Sequence, residues 1–176
     1  KVEKLIKSKK IESDIWLAFS PIKKNPLDVM IQKATELGIQ KFIPILSQRT
    51  IVKEINVERL KKIIIEASEQ SNRISVPEIE NLKPLNNFLE KFPTDGSLIF
   101  CDINCEKNDL KNILFKKKQG PICILVGPEG DFSEKERQLL IEKKEIFSLS
   151  LASNILRAET AAIAAVTIVN YHLNFN

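Results

Sequence analysis

The chain has 176 residues, 43% of them hydrophobic and 28% charged, which suits one compact domain with a buried core. Lys and Arg exceed Asp and Glu by 27 to 23, and this net charge of +4 permits a nucleic-acid partner without demanding one. No apolar run reaches the ~20 residues of a transmembrane helix and no signal peptide is visible, while Cys101, Cys105 and Cys123 with the single His172 form neither a disulfide framework nor a zinc set, so a reducing cytoplasm is expected and a metal is not.

The first thirteen residues are polar and Lys-rich, and the patterned chain begins after them. IWLAF (Ile15–Phe19) reads as a strand. Pro26 then opens a helix whose Leu27, Met30, Ile31, Ala34 and Leu37 recur at helical spacing, with Gly38 as its stop. KFIPIL (Lys41–Leu46) is a second strand, and Pro44, which has no N–H to donate, predicts an edge or irregular position there. A long helix is expected over Val57–Arg73, with Leu60, Ile63, Ile64 and Ala67 as its apolar stripe. A short link carries Val76–Ile79, and a helix follows near Leu85–Lys91.

SLIFC (Ser97–Cys101) and PICILV (Pro121–Val126) are nearly continuous apolar runs, as in strands buried on both faces. Ser133 with Glu136 three residues later is a capping box opening another helix. IFSLSL (Ile146–Leu151) is the last strand and Thr160–Leu173 the last helix. Strands alternating with helices predict an α/β fold, a mostly parallel sheet flanked by helices, with no internal domain boundary.

Three strands end in unusual sequence: CDINCEKND (Cys101–Asp109), VGPEGDFSEKE (Val126–Glu136) and SLASNILRAETA (Ser148–Ala161). Ligands of open α/β sheets gather outside the carboxyl ends of strands, so these three ends predict a binding site. In GPEG the glycines let the backbone approach a ligand and Pro128 stiffens the turn. Glu129 and Asp131 would repel a phosphate and there is no phosphate-loop motif, so a neutral or cationic ligand suits the loop better. A sulfonium cofactor fits. In the third loop, Ser153, Asn154 and the backbone of Ile155–Leu156 offer hydrogen bonds to an adenine edge, with the two aliphatic side chains against its faces. Arg157 and Glu159 exceed what a helix start needs. An Arg at a helix N-terminus opposes the dipole by roughly 0.3–1 kcal/mol when exposed, so either an ion pair with Glu159 or a functional role accounts for it.

GPEGDF, ILRAETAA, QKATELGI followed by IPILSQRT, and EASEQSNR together resemble the bacterial small-subunit ribosomal RNA uridine N3-methyltransferases of the SPOUT superfamily. The four blocks run in family order from Gln32 to Ala162. The resemblance implies a C-terminal trefoil knot, a rare exception to unthreaded chains, and a homodimer. It also implies S-adenosylmethionine bound in a bent form by the three loops, at Cys101, Asp102, Gly127, Pro128, Glu129, Gly130, Leu149, Leu151, Asn154, Ile155, Leu156, Thr160 and Ala161. It divides the chain into residues 1–13, a remnant or linker of an N-terminal PUA-like RNA-binding domain, and 14–176, the methyltransferase domain. Two positions depart from the family pattern: Asp131 and Ala152 stand where glycine is usual.

The resemblance makes the expected reaction methylation of N3 of a uridine in small-subunit (16S) ribosomal RNA. N3 carries a proton that must leave, and the negative charge then spreads onto O2 and O4. Arg157 is the candidate to stabilise that charge, in the manner of an oxyanion hole. The proton's acceptor is Glu129, Glu159 or water. Glu66, Gln70 and Arg73 share one side of a helix, and of these Gln70 and Arg73, with Arg49 of LSQRT, are expected to face the RNA. Two other readings stand beside this one. One is a different SPOUT RNA methyltransferase acting on a ribose 2′-OH or on transfer RNA, and the other is a non-catalytic RNA-binding module.

Overall fold

The computed structural model describes residues 13–105, 119–143 and 146–174. The N-terminal segment expected to belong to an RNA-binding domain lies, apart from Ser13, outside these residues, as does the 106–109 end of the first loop.

Among the described residues seven strands form one sheet: β1 (Ile15–Phe19), β2 (Lys41–Leu46), β3 (Glu78–Ile79), β4 (Lys83–Pro84), β5 (Ser97–Cys101), β6 (Ile122–Val126) and β7 (Ile146–Leu149). The order is β3-β2-β1-β6-β5-β7, with β4 also on β2. Every pairing is parallel, as the alternation of strands and helices predicts. Among the described residues five helices connect the strands: α1 (Lys24–Glu36), α2 (Val57–Gln70), α3 (Leu85–Lys91), α4 (Glu134–Glu142) and α5 (Ala158–Asn174).

Side chains of a strand alternate between the two faces of its sheet, and here both faces are covered. Ile15, Leu17 and Phe19 of β1 and Ile122, Ile124 and Val126 of β6 join Met30, Ile31, Leu60, Ile64, Ala162 and Val166 in a layer with α1, α2 and α5. Ala18, Cys123, Leu125, Leu98 and Phe100 point the other way, onto Phe88 of α3, Leu140 of α4 and Phe132. The continuous apolar runs of β5 and β6 follow from this double burial.

Helix α1 begins two residues before Pro26, which sits in the first turn, where a missing N–H costs nothing. It stops at Gly38, whose φ of +98° is a left-handed conformation that few other residues adopt. Helix α2 ends at Gln70 rather than Arg73, because Asn72 takes a left-handed φ of 54° and turns the chain. Pro44 lies in the stretch of β2 between its pairings with β3 (at Lys41 and Phe42) and β4 (at Ile45 and Leu46), the irregular position expected for it. Strand β7 ends at Leu149, two residues short of expectation. Its partner β5 also ends there, at Cys101, and Asp102 N–H closes the ladder on the Leu149 carbonyl at 3.0 Å.

Candidate active site

Strands β6, β5 and β7 are neighbours, and the loops after their carboxyl ends converge. They enclose a cavity of about 630 Å³, within the ~300–1,000 Å³ of small-molecule sites. The loop after β1 closes a fourth side: Ser20 N–H donates to the Val126 carbonyl at 3.1 Å, and Lys23 and Pro26 line the cavity.

The first loop is held from beneath. Asp102, 2% exposed, takes Arg137 Nη2 of α4 on Oδ2 at 2.9 Å, and on Oδ1 both Arg137 Nε at 3.3 Å and the Asn104 N–H at 2.9 Å. Asp102 lines the cavity as expected, but its carboxylate is engaged with the protein rather than offered to a ligand. Burial pushes the neighbouring Cys101 thiol up to about 12, so that part of the wall is a neutral, soft surface.

The GPEG loop is anchored by Phe132, whose ring stacks edge-on against Phe100 at 5.5 Å between centroids. The same ring covers Gly127, where a Cβ would lie 2.9 Å from it, so this loop needs glycine there. Asp131 adopts φ +58°, and its Oδ1 accepts the Phe132 N–H at 2.7 Å. The left-handed backbone expected of a glycine is thus kept by Asp, one of the few other residues that tolerate it. The capping box forms as the sequence predicts: Ser133 Oγ accepts Glu136 N–H, and Glu136 accepts Ser133 N–H at 2.9 Å. The other Glu136 oxygen accepts Gln48 N–H at 2.8 Å, and Arg49 Nη1 donates to the Gly130 carbonyl at 3.1 Å. These two bonds tie the loop after β2 onto the GPEG loop.

In the third loop, among the described residues, none of the amides of residues 151–157 donates to a backbone carbonyl. An open edge of this kind is what adenine recognition through the backbone requires. Ile155 is 82% exposed, free to cover one face of a flat ligand. Helix α5 starts at Ala158, two residues earlier than expected, and Arg157 precedes it with its carbonyl accepting the Ala161 N–H at 2.8 Å. Among the described residues no ion pair joins Arg157 to Glu159, so that structural explanation of the arginine falls away.

The cavity gathers all three residues assigned to chemistry, Arg157, Glu129 and Glu159, together with Cys101, Asp102, Gly127, Pro128, Leu149, Leu151, Asn154, Ile155, Leu156 and Ala161. Gly130 is not among the residues lining the cavity, and a Cβ added to it would meet the Arg49 side chain at 3.6 Å. Neither is Thr160. At ~100° per residue, the early start of α5 puts Ala158 and Ala161 on the cavity and leaves Thr160 exposed elsewhere. Arg73 lies away from the cavity. Its Nη1 donates to the carbonyls of Thr35 at 2.6 Å and Ile39 at 2.8 Å, so it fastens the end of α1. Gln70 is exposed at the last position of α2, three residues before Arg73. The structure does not bring it to the cavity. Lys23, Pro26, Ile103, Asp131, Ser150, Ala152 and Ala158 line the site without having been singled out for it.

The RNA methyltransferase domain model matches residues 9–170. The chain is 38% identical over 167 residues to the ribosomal RNA small subunit methyltransferase E of Rickettsia conorii, covering 94% of this chain and 68% of that protein. It is 35% identical to that of Aquifex aeolicus, covering 81% and 62%. The crystal structure of the Neisseria gonorrhoeae ribosomal RNA small subunit methyltransferase E bound to S-adenosyl methionine superposes with a TM-score of 0.84 at 32% identity, covering 93% of this chain and 68% of that one. The chain therefore belongs to the RNA methyltransferase family, and its relatives there are ribosomal RNA small subunit methyltransferases E. It spans between 62% and 68% of the length of these relatives.

Proposed function

We propose that the protein transfers the methyl group of S-adenosylmethionine to N3 of a uridine in small-subunit (16S) ribosomal RNA. The observation that carries this reading is the convergence of three strand-end loops on one cavity lined by Arg157, Glu129 and Glu159. The cavity fits the cofactor on three counts: its volume, the open backbone edge of the third loop, and carboxylates beside the place of a cationic sulfonium. Held by the open backbone of residues 151–157 and the aliphatic wall of Ile155 and Leu156, the cofactor would supply an electrophilic methyl group, with S-adenosylhomocysteine as the leaving group.

The residues do the rest. N3 of uridine is a poor nucleophile while protonated, and Glu129, Glu159 or water takes its proton. The guanidinium of Arg157 stabilises the charge that develops on O2 and O4. The buried Asp102–Arg137 pair and the Phe132–Gly127 contact fix the loops, so that N3 is held in line with the methyl group.

The same reading includes the family's trefoil knot, a homodimer and action in the cytoplasm, where ribosomal RNA is found. Supporting the knot, the chain leaves edge strand β7 and returns in α5 to pack on β6, β1 and α1 in the middle of the sheet. Supporting the dimer, α5 buries Ala162, Ala165, Val166 and Val169 yet leaves Ile163, Ala164 and Ile168 partly exposed and Tyr171 56% exposed. No helix among the described residues is long and apolar enough to cross a membrane.

Mass-spectrometric mapping of small-subunit ribosomal RNA, with and without the protein, tests the reading. A new N3-methyluridine is expected. Methylation on a ribose 2′-oxygen instead, or no new methyl group with bound cofactor, overturns it.

A further inference from the structure

Lys23 sits between β1 and α1, is exposed, and its side chain makes no ion pair or hydrogen bond among the described residues. It lines the large cavity and also a small notch beside it, of about 10 Å³, with Arg49, Ile51, Pro128 and Glu129. A notch of that size is no larger than the ~10–15 Å³ that a single water molecule needs, so no base enters it. It is a saddle on the surface, with the cavity on one side and the loop after β2 on the other. On that far side Ile51 is 74% exposed. Arg49 is exposed as well, and its bond to the Gly130 carbonyl fixes the side chain while its other guanidinium N–H groups have no partner among the described residues.

An enzyme that acts on a base takes that base into its pocket and leaves the neighbouring nucleotides on the rim. The rim here offers two cations without an ion pair and one bare apolar side chain, the chemistry of a phosphodiester and of a base face. We propose that Lys23, Arg49 and Ile51 form the surface that holds the nucleotide next to the target uridine. The cations take its phosphate and Ile51 packs against its base. The proposal rests on the ribosomal RNA methylation reading above.

The test compares Lys23→Gln and Ile51→Ser with Lys24→Gln, an exposed neighbour that lines neither the cavity nor the notch. Methyl transfer to small-subunit ribosomal RNA is followed against RNA concentration at several salt concentrations, and S-adenosylhomocysteine affinity is measured by calorimetry. Lys23→Gln should raise KM for RNA about tenfold and reduce the salt slope by roughly 0.7, the single-strand value for one phosphate. Ile51→Ser should raise KM with an unchanged salt slope. Ile51 lines the notch and not the cavity, so Ile51→Ser should keep cofactor affinity and kcat at saturating RNA at the wild-type level. A Lys23→Gln protein that matches Lys24→Gln, or that loses cofactor affinity while keeping KM, overturns the proposed surface alone. A wild-type protein that binds cofactor and transfers no methyl to this RNA overturns the methylation reading and the surface with it.

Discussion

Asp102 and Arg137 meet beneath the first loop, Oδ2 to Nη2 at 2.9 Å, joining the end of β5 to α4 across 35 residues of chain. The carboxylate is 2% exposed and the guanidinium side chain 21% exposed, so the pair is largely out of water. Removing one partner strands the other, which costs about 3–5 kcal/mol at buried pairs. Arg137→Met is expected near the lower end of that range, since the arginine keeps some contact with solvent. Denaturant unfolding measures the loss, and S-adenosylhomocysteine titration of the folded fraction should show weakened binding because the loop has lost its anchor. Unchanged stability would mean that water replaces the guanidinium at no cost.

Arg157→Ala should lower methyl transfer far more than cofactor affinity. Loss of a donor to a developing negative charge costs ~2.7–4 kcal/mol in the transition state, a factor of about 10²–10³ in single-turnover rate. Melting temperature should hardly move, because Arg157 makes no ion pair among the described residues and its carbonyl, which closes the first turn of α5, is retained by alanine. An early-melting variant that methylates at the normal rate would return the residue to a structural role.

Asp131 occupies a left-handed backbone conformation that β-branched side chains tolerate poorly. Asp131→Val should destabilise the protein by about 1–3 kcal/mol and disturb the GPEG loop. Asp131→Gly should be nearly neutral, since relief of the backbone offsets loss of the 2.7 Å bond to Phe132 N–H. Thermal melts of the two variants side by side decide this; equal destabilisation by both would assign the whole effect to the lost hydrogen bond.

Burial pushes the Cys101 thiol from an ordinary 9.0 up to about 12, and Cys123 rises too. The folded protein therefore holds these protons more tightly than the unfolded chain does. Their contribution to stability is fully present below pH ~9 and is lost as pH rises from there toward 12. At pH 9.5, iodoacetamide should alkylate both cysteines quickly in denaturant and slowly in the native protein, as peptide mapping will show. Rapid native labelling of Cys101 would mean that the first loop opens.

S-adenosylhomocysteine should bind at about one per chain, and ATP should not, because Glu129, Asp131 and Glu159 around the cavity oppose a triphosphate. Calorimetry with both ligands checks this, and a folded sample silent to S-adenosylhomocysteine contradicts it. The dimer is checked by light scattering at micromolar concentration, where a monomer mass contradicts it.

Features set by neighbours in sequence were legible from it. The apolar periods gave β1, β2, β5, β6 and β7 but not the two-residue β3 and β4, and Ser133 with Glu136 announced their capping box three residues apart. The three loops were legible as a site because each carries its own unusual residues. What was hidden depends on strand order. Lys23 lines the cavity only because β1 lies beside β6, a pairing between residues more than a hundred positions apart. Arg73 looked like part of a polar helix face until Asn72 turned the chain and sent its guanidinium to the carbonyls of Thr35 and Ile39. Nothing local to Arg137 signals that its partner is Asp102.

The outer side of β2 has a consequence for life in a crowded solution. An open sheet edge with a long row of unpaired amides invites a strand from another molecule, the first step of aggregation. Here that side meets two strands of two residues each, β3 and β4, and Pro44 falls between them with no N–H to give. An incoming chain finds no uninterrupted ladder to extend and would have to strip away native pairing at both ends of β2. Replacing Pro44 would restore a donor to the gap, and the interruption that keeps copies of this protein from zipping together would be gone.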